Sequence, residues 1–219
     1  MARSDAARTA LLDAAERLFA EAGIAQVSDR KVAESAGNTN HSAVRYYFGG
    51  REGLLQALIT RHLVALEPPR RAMFAGSDSL LEDVRSLVVP FTDALGALPQ
   101  PSSRARFLAQ ALHDPMAAGL LGDSTDLAPS ASAITHSVVA RLDHLDRDVV
   151  VGRARLMTRI VSTTCADVER LSDHDGAAPS WQAVGDFLAD AIAGMLSAPV
   201  THRPGVPLDV TDHPAALVL

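Results

Sequence analysis

Residues 28–55 read SDRKVAESAGNTNHSAVRYYFGGREGLL, and this stretch decides the fold of the N-terminal part of the chain. It predicts two short helices joined by a turn that contains Gly37. Ser28 is a favourable N-cap for the first helix. Small residues such as Ala33 allow the two helices to approach closely at a steep angle. This pattern is typical of a helix-turn-helix, whose second helix enters the major groove of DNA.

The second helix of the pair is predicted to begin at Thr39 or Asn40 and to run to about Tyr47, before Gly49 and Gly50 break the chain. On a helical wheel centred on Val44, polar side chains face outward. They are Ser42, Arg45 and Tyr46, with His41 to one side. Arginine can bind guanine through two hydrogen bonds, and serine can bind a base edge or a phosphate. The outward face therefore predicts contacts with DNA.

The rest of the chain is also predicted to be helical, since no segment shows sustained alternation of apolar and polar residues. A first helix spans about Ser4 to Ala22, and a fourth runs from Arg51 to Glu67, where Pro68 and Pro69 should end it. About five more helices follow. The expected fold is all-α, with a three-helix DNA-binding domain at residues 1–50, a helical effector-binding and dimerisation domain at residues 51–198, and a Pro-rich tail at residues 199–219.

The charge of the chain is unevenly distributed. The net charge is −6, but residues 1–66 carry 8 basic and 7 acidic side chains, whereas residues 67–219 carry 12 and 19. A DNA-binding surface is therefore expected only at the N-terminal end. One cysteine, no apolar run long enough to span a bilayer and no signal-peptide pattern favour a cytoplasmic protein.

The first 60 or so residues resemble the DNA-binding domain of the TetR family of bacterial regulators. The resemblance rests on AERLFAEAG at the end of the first helix, on the Ser28 cap, on KVAESAG and on RYYFGGREGLL. The chain is similar to a subgroup with Asn-His-Ser-Ala-Val before the aromatic pair, in which the turn is one residue longer than in the commonest members. The resemblance covers about a quarter of the chain.

The resemblance implies roles for individual residues. Arg30 and Arg45 would read bases. Asn40, His41 and Ser42 would contact bases or phosphates, and Tyr46, Tyr47 and Arg51 would hold phosphates. The helical wheel favours Tyr46 as the outward tyrosine, whereas the family pattern favours Tyr47, so both remain candidates. The family also implies a homodimer on a palindromic operator, and repression that ends when a small-molecule effector binds and shifts the fourth helix.

Two further sets of residues follow for the C-terminal domain. The last two helices would form a four-helix dimer interface with those of a second subunit. The expected interface residues are Leu156, Ile160, Thr164, Leu171, Val184, Phe187, Leu188, Ala191, Ile192 and Met195. The expected effector-pocket residues are His62, Met73, Phe74, Phe91, Phe107, His113 and Met116.

Other classes of function find little support in the sequence. Cys165 and the eight histidines form no nucleophile motif, and no phosphate-binding glycine loop occurs, so neither an enzyme nor a cofactor is expected. The run Asp173-His174-Asp175 is better explained as a solvated loop than as a metal site. A helical protein-interaction module that has lost DNA binding is the alternative to a regulator.

Overall fold

The computed structural model describes residues 2–201, with side chains from Ser4 onward. Within these residues every regular element is helical, and the predicted all-α class is confirmed. The ten α-helices are α1 (Ala2–Ala22), α2 (Asp29–Ser35), α3 (Ala43–Phe48), α4 (Arg51–Phe74), α5 (Leu80–Gly96), α6 (Arg104–Ala111), α7 (Pro115–Asp123), α8 (Pro129–Arg141), α9 (Arg147–Asp175) and α10 (Trp181–Ser197). Most of the predicted tail, residues 202–219, lies outside the described residues.

Helices α1 to α3 pack around the first turns of α4. Leu11, Ala15 and Phe19 line one face of α1 and are completely buried. Helix α2 begins as expected, because the Ser28 hydroxyl accepts a hydrogen bond from the backbone N–H of Lys31 at 3.2 Å. Val44 anchors α3 from the other side and is also fully buried. This small core holds the outer face of α3 toward solvent.

Helix α3 begins at Ala43, three to four residues later than predicted. The reason lies in two asparagine side chains. Asn38 Oδ1 accepts from the backbone N–H of Asn40, and Asn40 Oδ1 accepts from that of Ser42, each at 3.0 Å. Such local bonds hold the backbone in a turn and compete with helix formation. The recognition helix is therefore short, and Asn40, His41 and Ser42 belong to the turn that precedes it.

Helix α4 continues through Pro68 and Pro69 to Phe74, so the prediction that it ends at Glu67 was wrong. Prolines at these positions remove the bonds to the carbonyl groups of Val64 and Ala65. Both of those residues are exposed, so water can bind the free carbonyls. On the opposite side, Leu66 and Arg70 are fully buried. The packing of this buried face outweighs the local preference of proline to end a helix.

Six helices, one more than predicted, follow α4 within residues 2–201. The additional one is α7, which Asp114 caps by accepting from the backbone N–H of Ala117 at 3.0 Å, with Pro115 at the first position. Helix α5 lies at the centre and packs against α4, α8 and α10. It approaches α10 closely at Gly185, where any side chain would clash with Thr92. No helix in residues 2–201 has both the length and the apolarity to cross a membrane.

Candidate DNA-binding surface

The outer face of α3 and the turn before it carry most of the residues predicted to contact DNA. Tyr46 is 77% exposed. Exposed with it are the other predicted contacts Arg30, Asn40, His41, Ser42 and Arg45. Arg45 stands one position after the buried Val44, so its side chain leaves the domain on the solvent side. The structure thus leaves all of these side chains accessible, and they remain predicted DNA contacts.

The two tyrosines of the surface differ in their surroundings. Their rings pack edge to face, with centroids 4.9 Å apart. Tyr47 is half-buried and packs against the hydrophobic core, whereas Tyr46 projects into solvent. The position of Tyr46 agrees with the helical wheel. Tyr47 is held in place by its packing against the core, whereas Tyr46 is the more accessible of the two rings. Both tyrosines therefore stay candidates for phosphate contacts.

Arg51 was expected to hold a phosphate, but its guanidinium is engaged inside the domain. Nη1 lies 3.3 Å from the Asp29 carboxylate, and Nη2 donates to the carbonyl oxygen of Ile24. The same group stacks over the ring of Phe19, 4.3 Å from its centroid. These contacts fix the start of α4 against the turn before α2. A phosphate would have to compete with them for the guanidinium.

Glu34 is an acidic residue of this surface that the sequence analysis did not single out. Its Oε1 accepts from Arg30 Nε at 2.8 Å and lies 3.8 Å from His41 Nδ1. The hydrogen bond from Arg30 lowers the pKa of Glu34, and the charges of Arg30, His41 and Lys31 act in the same direction. Glu34 therefore stays ionised between two predicted DNA contacts. The spacing of four residues between Arg30 and Glu34 on one helix could have predicted their ion pair from the sequence.

An ion cluster around the buried Glu16 joins the N-terminal helices to the rest of the protein. Glu16 of α1 accepts from Arg61 of α4 at 2.6 Å and from Arg104 of α6 at 2.7 Å. Arg61 also pairs with Asp13 at 2.6 Å. Burial opposes the charge of Arg61, but the Glu16 and Asp13 carboxylates outweigh it and raise the pKa of the guanidinium. Sequence patterns gave no sign of this cluster because its members are far apart in the chain.

The residues predicted to line an effector pocket do not form one group. His62 and Phe91 are buried together, edge to face, with ring centroids 5.6 Å apart. Phe74 is half-buried at the end of α4. Phe107 is buried elsewhere, 6.1 Å from Phe19 of α1, and so belongs to the contact between the N-terminal helices and α6.

Met73, His113 and Met116 are exposed, which corrects their assignment to a pocket in the core. The continuation of α4 puts Met73 on its outer side, and His113 and Met116 flank the exposed start of α7. An apolar crevice lies instead between α5, α8, α9 and α10. It has a volume of about 10 Å³ and is lined by Leu87, Val138, Met157, Leu196 and Thr135, among others. The Thr135 hydroxyl has no hydrogen-bond partner among the residues that the structure describes.

Two polar side chains are fully buried on the inner face of α4, two helical turns apart. Burial is the main factor that lowers the pKa of His62 well below 6.5, and the charges of Arg70 and Arg104 add to it. Arg70 donates to the carbonyl oxygen of Leu87 on α5 at 3.3 Å. Burial lowers the pKa of Arg70 to about 10, although the charge of Glu67 opposes the shift. Within the described part of the chain, the ring nitrogen Nε2 of His62 has no hydrogen-bond partner.

The predicted dimer residues divide into three sets by their exposure. Leu156, Leu171, Phe187 and Ala191 are exposed on α9 and α10, and Ile160, Thr164, Val184 and Met195 are half-buried. Leu188 and Ile192 are only 1% exposed, so their assignment to the interface is corrected. They lie on the face of α10 that packs against α5. Helix α10 is apolar on two sides, and periodicity alone could not say which side faces the protomer's own core.

Comparisons with known proteins agree with this architecture. The family model for bacterial regulatory proteins of the tetR family matches residues 11–58, which cover α2, α3 and parts of α1 and α4. The HTH-type transcriptional regulators BetI of Burkholderia mallei and Burkholderia thailandensis are 34% and 33% identical over 112 residues, 49% of this chain and 56% of theirs. Residues 11–58 thus match the TetR family, and the curated relatives support a TetR-family regulator. The chain spans about half the length of these curated relatives, namely 56%. The similarity is therefore limited to the 112 aligned residues.

Solved structures of TetR-family proteins share the fold over most of the chain. A TetR-family transcription regulator from Marinobacter aquaeolei covers 88% of the chain with a TM-score of 0.57 and 14% identity. The ketosteroid transcriptional regulator of Mycobacterium tuberculosis covers 85%, with a TM-score of 0.56 and 20% identity. The matches extend over 96% and 93% of those chains. At such low identity they establish the TetR-like arrangement of the helices and nothing about ligands.

Proposed function

We propose that this TetR-family chain is a sequence-specific DNA-binding transcriptional repressor. The observation that carries the proposal is the outer face of α3. In the segment that matches the family model, an exposed arginine and an exposed tyrosine stand next to the buried anchor Val44. Arg45 is proposed to read a base in the major groove. Arg30, Asn40, His41, Ser42, Tyr46 and Tyr47 are proposed to contact bases or phosphates around it.

We propose separate roles for the N-terminal and C-terminal helices. Residues 1–50 would bind DNA, and residues 51–198 would bind an effector and a second subunit. A short recognition helix contacts few base pairs, so specific binding calls for two half-sites and a homodimer. The exposed apolar residues Leu156, Leu171 and Phe187 support an interface on α9 and α10. The operator would then be palindromic.

The effector is proposed to be a small molecule that binds among α4, α5 and α8. The buried His62, which packs edge to face against Phe91 of α5, supports a site in this region. The protein is proposed to act in the cytoplasm, and its proposed nucleic-acid partner is a double-stranded DNA operator. An effector releases DNA only if it binds more tightly to the form that cannot bind DNA. The family consists of regulators rather than enzymes, and catalysis is not part of the proposal.

The decisive experiment compares the wild-type protein with Arg45→Ala on fluorescent DNA from the region upstream of its own gene, at two salt concentrations. We expect tight binding that weakens steeply with salt and that Arg45→Ala reduces by about 10- to 100-fold. Arg147→Ala removes the same charge from an exposed position at the start of α9 and serves as the control. It should bind like the wild type.

Two other outcomes are informative. If upstream DNA binds no better than random DNA, selection from a random library supplies the operator, and the same comparison is made there. If no DNA binds even at low salt, the proposal fails, and the protein-interaction module takes its place.

A further inference from the structure

Three helices meet at a single carboxylate between the N-terminal helices and the remainder of the chain. Glu16 on α1 is 9% exposed, and its Oε2 atom accepts from both Arg61 Nη2 and Arg104 Nε. Asp13, one turn earlier on α1, binds the other terminal nitrogen of Arg61. Helix α4 is the covalent connection between the two parts. The cluster adds a second connection, because Arg104 opens the separate helix α6.

A second buried carboxylate, on α9, holds the same end of α6. Glu169 of α9 is 1% exposed. Its two oxygens accept from the Ser102 hydroxyl at 2.7 Å and from the backbone N–H groups of Ala105 and Arg106 at 3.2 and 3.0 Å. A carboxylate at the free N–H groups of a helix start is a favourable arrangement. The beginning of α6 is thus fixed between α1 and α9.

Helix α9 extends this line of contacts to the proposed dimer face. Leu171 follows Glu169 by two residues and is 60% exposed. Buried hydrogen-bonded side chains therefore link that face to α6 through Glu169, and α6 to α1 through Arg104 and Glu16. The pair Phe19 and Phe107 packs α1 against α6 beside the cluster. A domain held only by one helix can pivot about it, whereas attachment at α4 and at α6 prevents the pivot.

We propose that Glu16, Arg104 and Glu169 are positioning residues that set the distance and angle between the two recognition helices of the dimer. The protein would thereby select the number of base pairs between operator half-sites. Each added base pair moves the second half-site by about 3.4 Å and turns it by roughly 35°. A rigidly held pair of recognition helices rejects such a change, and a loosely held pair accepts it. This inference rests on the proposed function.

The test uses the full-length protein and operator DNA selected by the wild type from a random library. Binding is measured on palindromes whose spacer is shortened or lengthened by one and two base pairs, and on a single half-site. The main variant is Arg104→Gln, which removes the ion pair between α1 and α6 but leaves Glu16 paired with Arg61. Glu169→Gln tests the other side of α6. Asp186→Asn, which breaks the Arg85 pair between α5 and α10, is the control.

We expect the wild type and Asp186→Asn to bind the selected spacing at least about 10-fold more tightly than the altered ones. For Arg104→Gln and Glu169→Gln this preference should fall to about threefold or less, with affinity for the single half-site unchanged. A merely structural role would lower affinity on every DNA alike and keep the preference. That result, or an unchanged preference in a folded Arg104→Gln dimer, would overturn the inference. Wild-type protein that selects no DNA would overturn the proposed function as well.

Discussion

Glu34 is an acidic side chain among the residues proposed to face DNA. It lies within 2.8 Å of Arg30 and 3.8 Å of His41, and an approaching phosphate backbone would be repelled by its charge. The pair with Arg30 is exposed, so breaking it costs little. We therefore expect the side chain to restrain Arg30 in the free protein and to weaken binding to any DNA.

Glu34→Gln should consequently bind DNA about two- to tenfold more tightly than the wild type at low salt, and the difference should shrink as salt is added. Fluorescence anisotropy on specific and random DNA measures both effects. Glu21→Gln, an exposed glutamate paired with Arg17 on α1, is a control with the same change of charge. Weaker binding by Glu34→Gln would show that the carboxylate positions Arg30 productively.

His62 makes the stability of the protein depend on pH. Its pKa in the folded protein lies well below 6.5, chiefly because burial disfavours the charged ring. The unfolded chain binds a proton near pH 6.5, and the folded protein does not until a lower pH is reached. The free energy of unfolding is therefore unaffected by this group above about pH 6.5 and falls below it by up to ~1.4 kcal/mol per pH unit.

Denaturant unfolding between about pH 5 and 7.5 measures this dependence. His62→Leu should flatten the decline below pH 6.5, whereas His144→Gln, at an exposed position in the turn after α8, should keep it. An equally steep decline in His62→Leu would assign the effect to other groups.

At this scale, sequence could predict what periodicity and local spacing determine. Val44 as an anchor and Arg45 and Tyr46 as outward residues follow from the helical wheel, and the structure exposes both of the latter. The hydrogen-bond partners of Glu16 and Glu169 could not be predicted from the sequence, because they come from distant parts of the chain. Nor did the internal role of Arg51, which depends on a carbonyl group and a ring presented by other elements.

The elements themselves were predictable where capping residues mark them. Ser28 and Ser79 cap α2 and α5, and Asp146 caps α9. Predictions failed where distant packing opposes a local signal. Pro68 and Pro69 are signals for the end of a helix, yet the buried face of α4 carries it onward. The turn before α3 is the opposite case. The sequence pattern predicts a longer helix, but local hydrogen bonds of two asparagine side chains hold its first residues in a turn.

Helix α4 offers a test of this balance. Pro68 is exposed inside the helix, and Pro68→Ala restores a backbone N–H opposite the carbonyl of Val64. The free energy of unfolding should rise by about 1–2 kcal/mol, the helical gain minus the greater freedom of the unfolded chain. Pro129→Ala is the matched control, because Pro129 opens α8 where proline is favourable, and no gain is expected there. Loss of stability in Pro68→Ala would mean that the proline conformation itself is needed.

For the whole molecule, the surface that most needs a partner lies on α9 and α10. Phe187 is 70% exposed in the single chain and stands near the middle of α10. A large apolar ring in this position is unfavourable in water, and a two-fold axis would bury two copies of it at once. Phe187→Glu should therefore weaken dimerisation about 100-fold or more, since it removes apolar burial and brings two like charges together.

Sedimentation over a range of protein concentrations measures this change, and DNA binding gives its consequence. Phe187→Glu should lose affinity for the palindromic operator while its affinity for a single half-site is retained, because α3 is untouched. Val64→Glu places the same charge at an exposed apolar position on α4 and should leave both the dimer and the operator affinity unchanged. A Phe187→Glu protein that remains a dimer would move the interface to another face, and the exposed apolar stripe would then need a different partner.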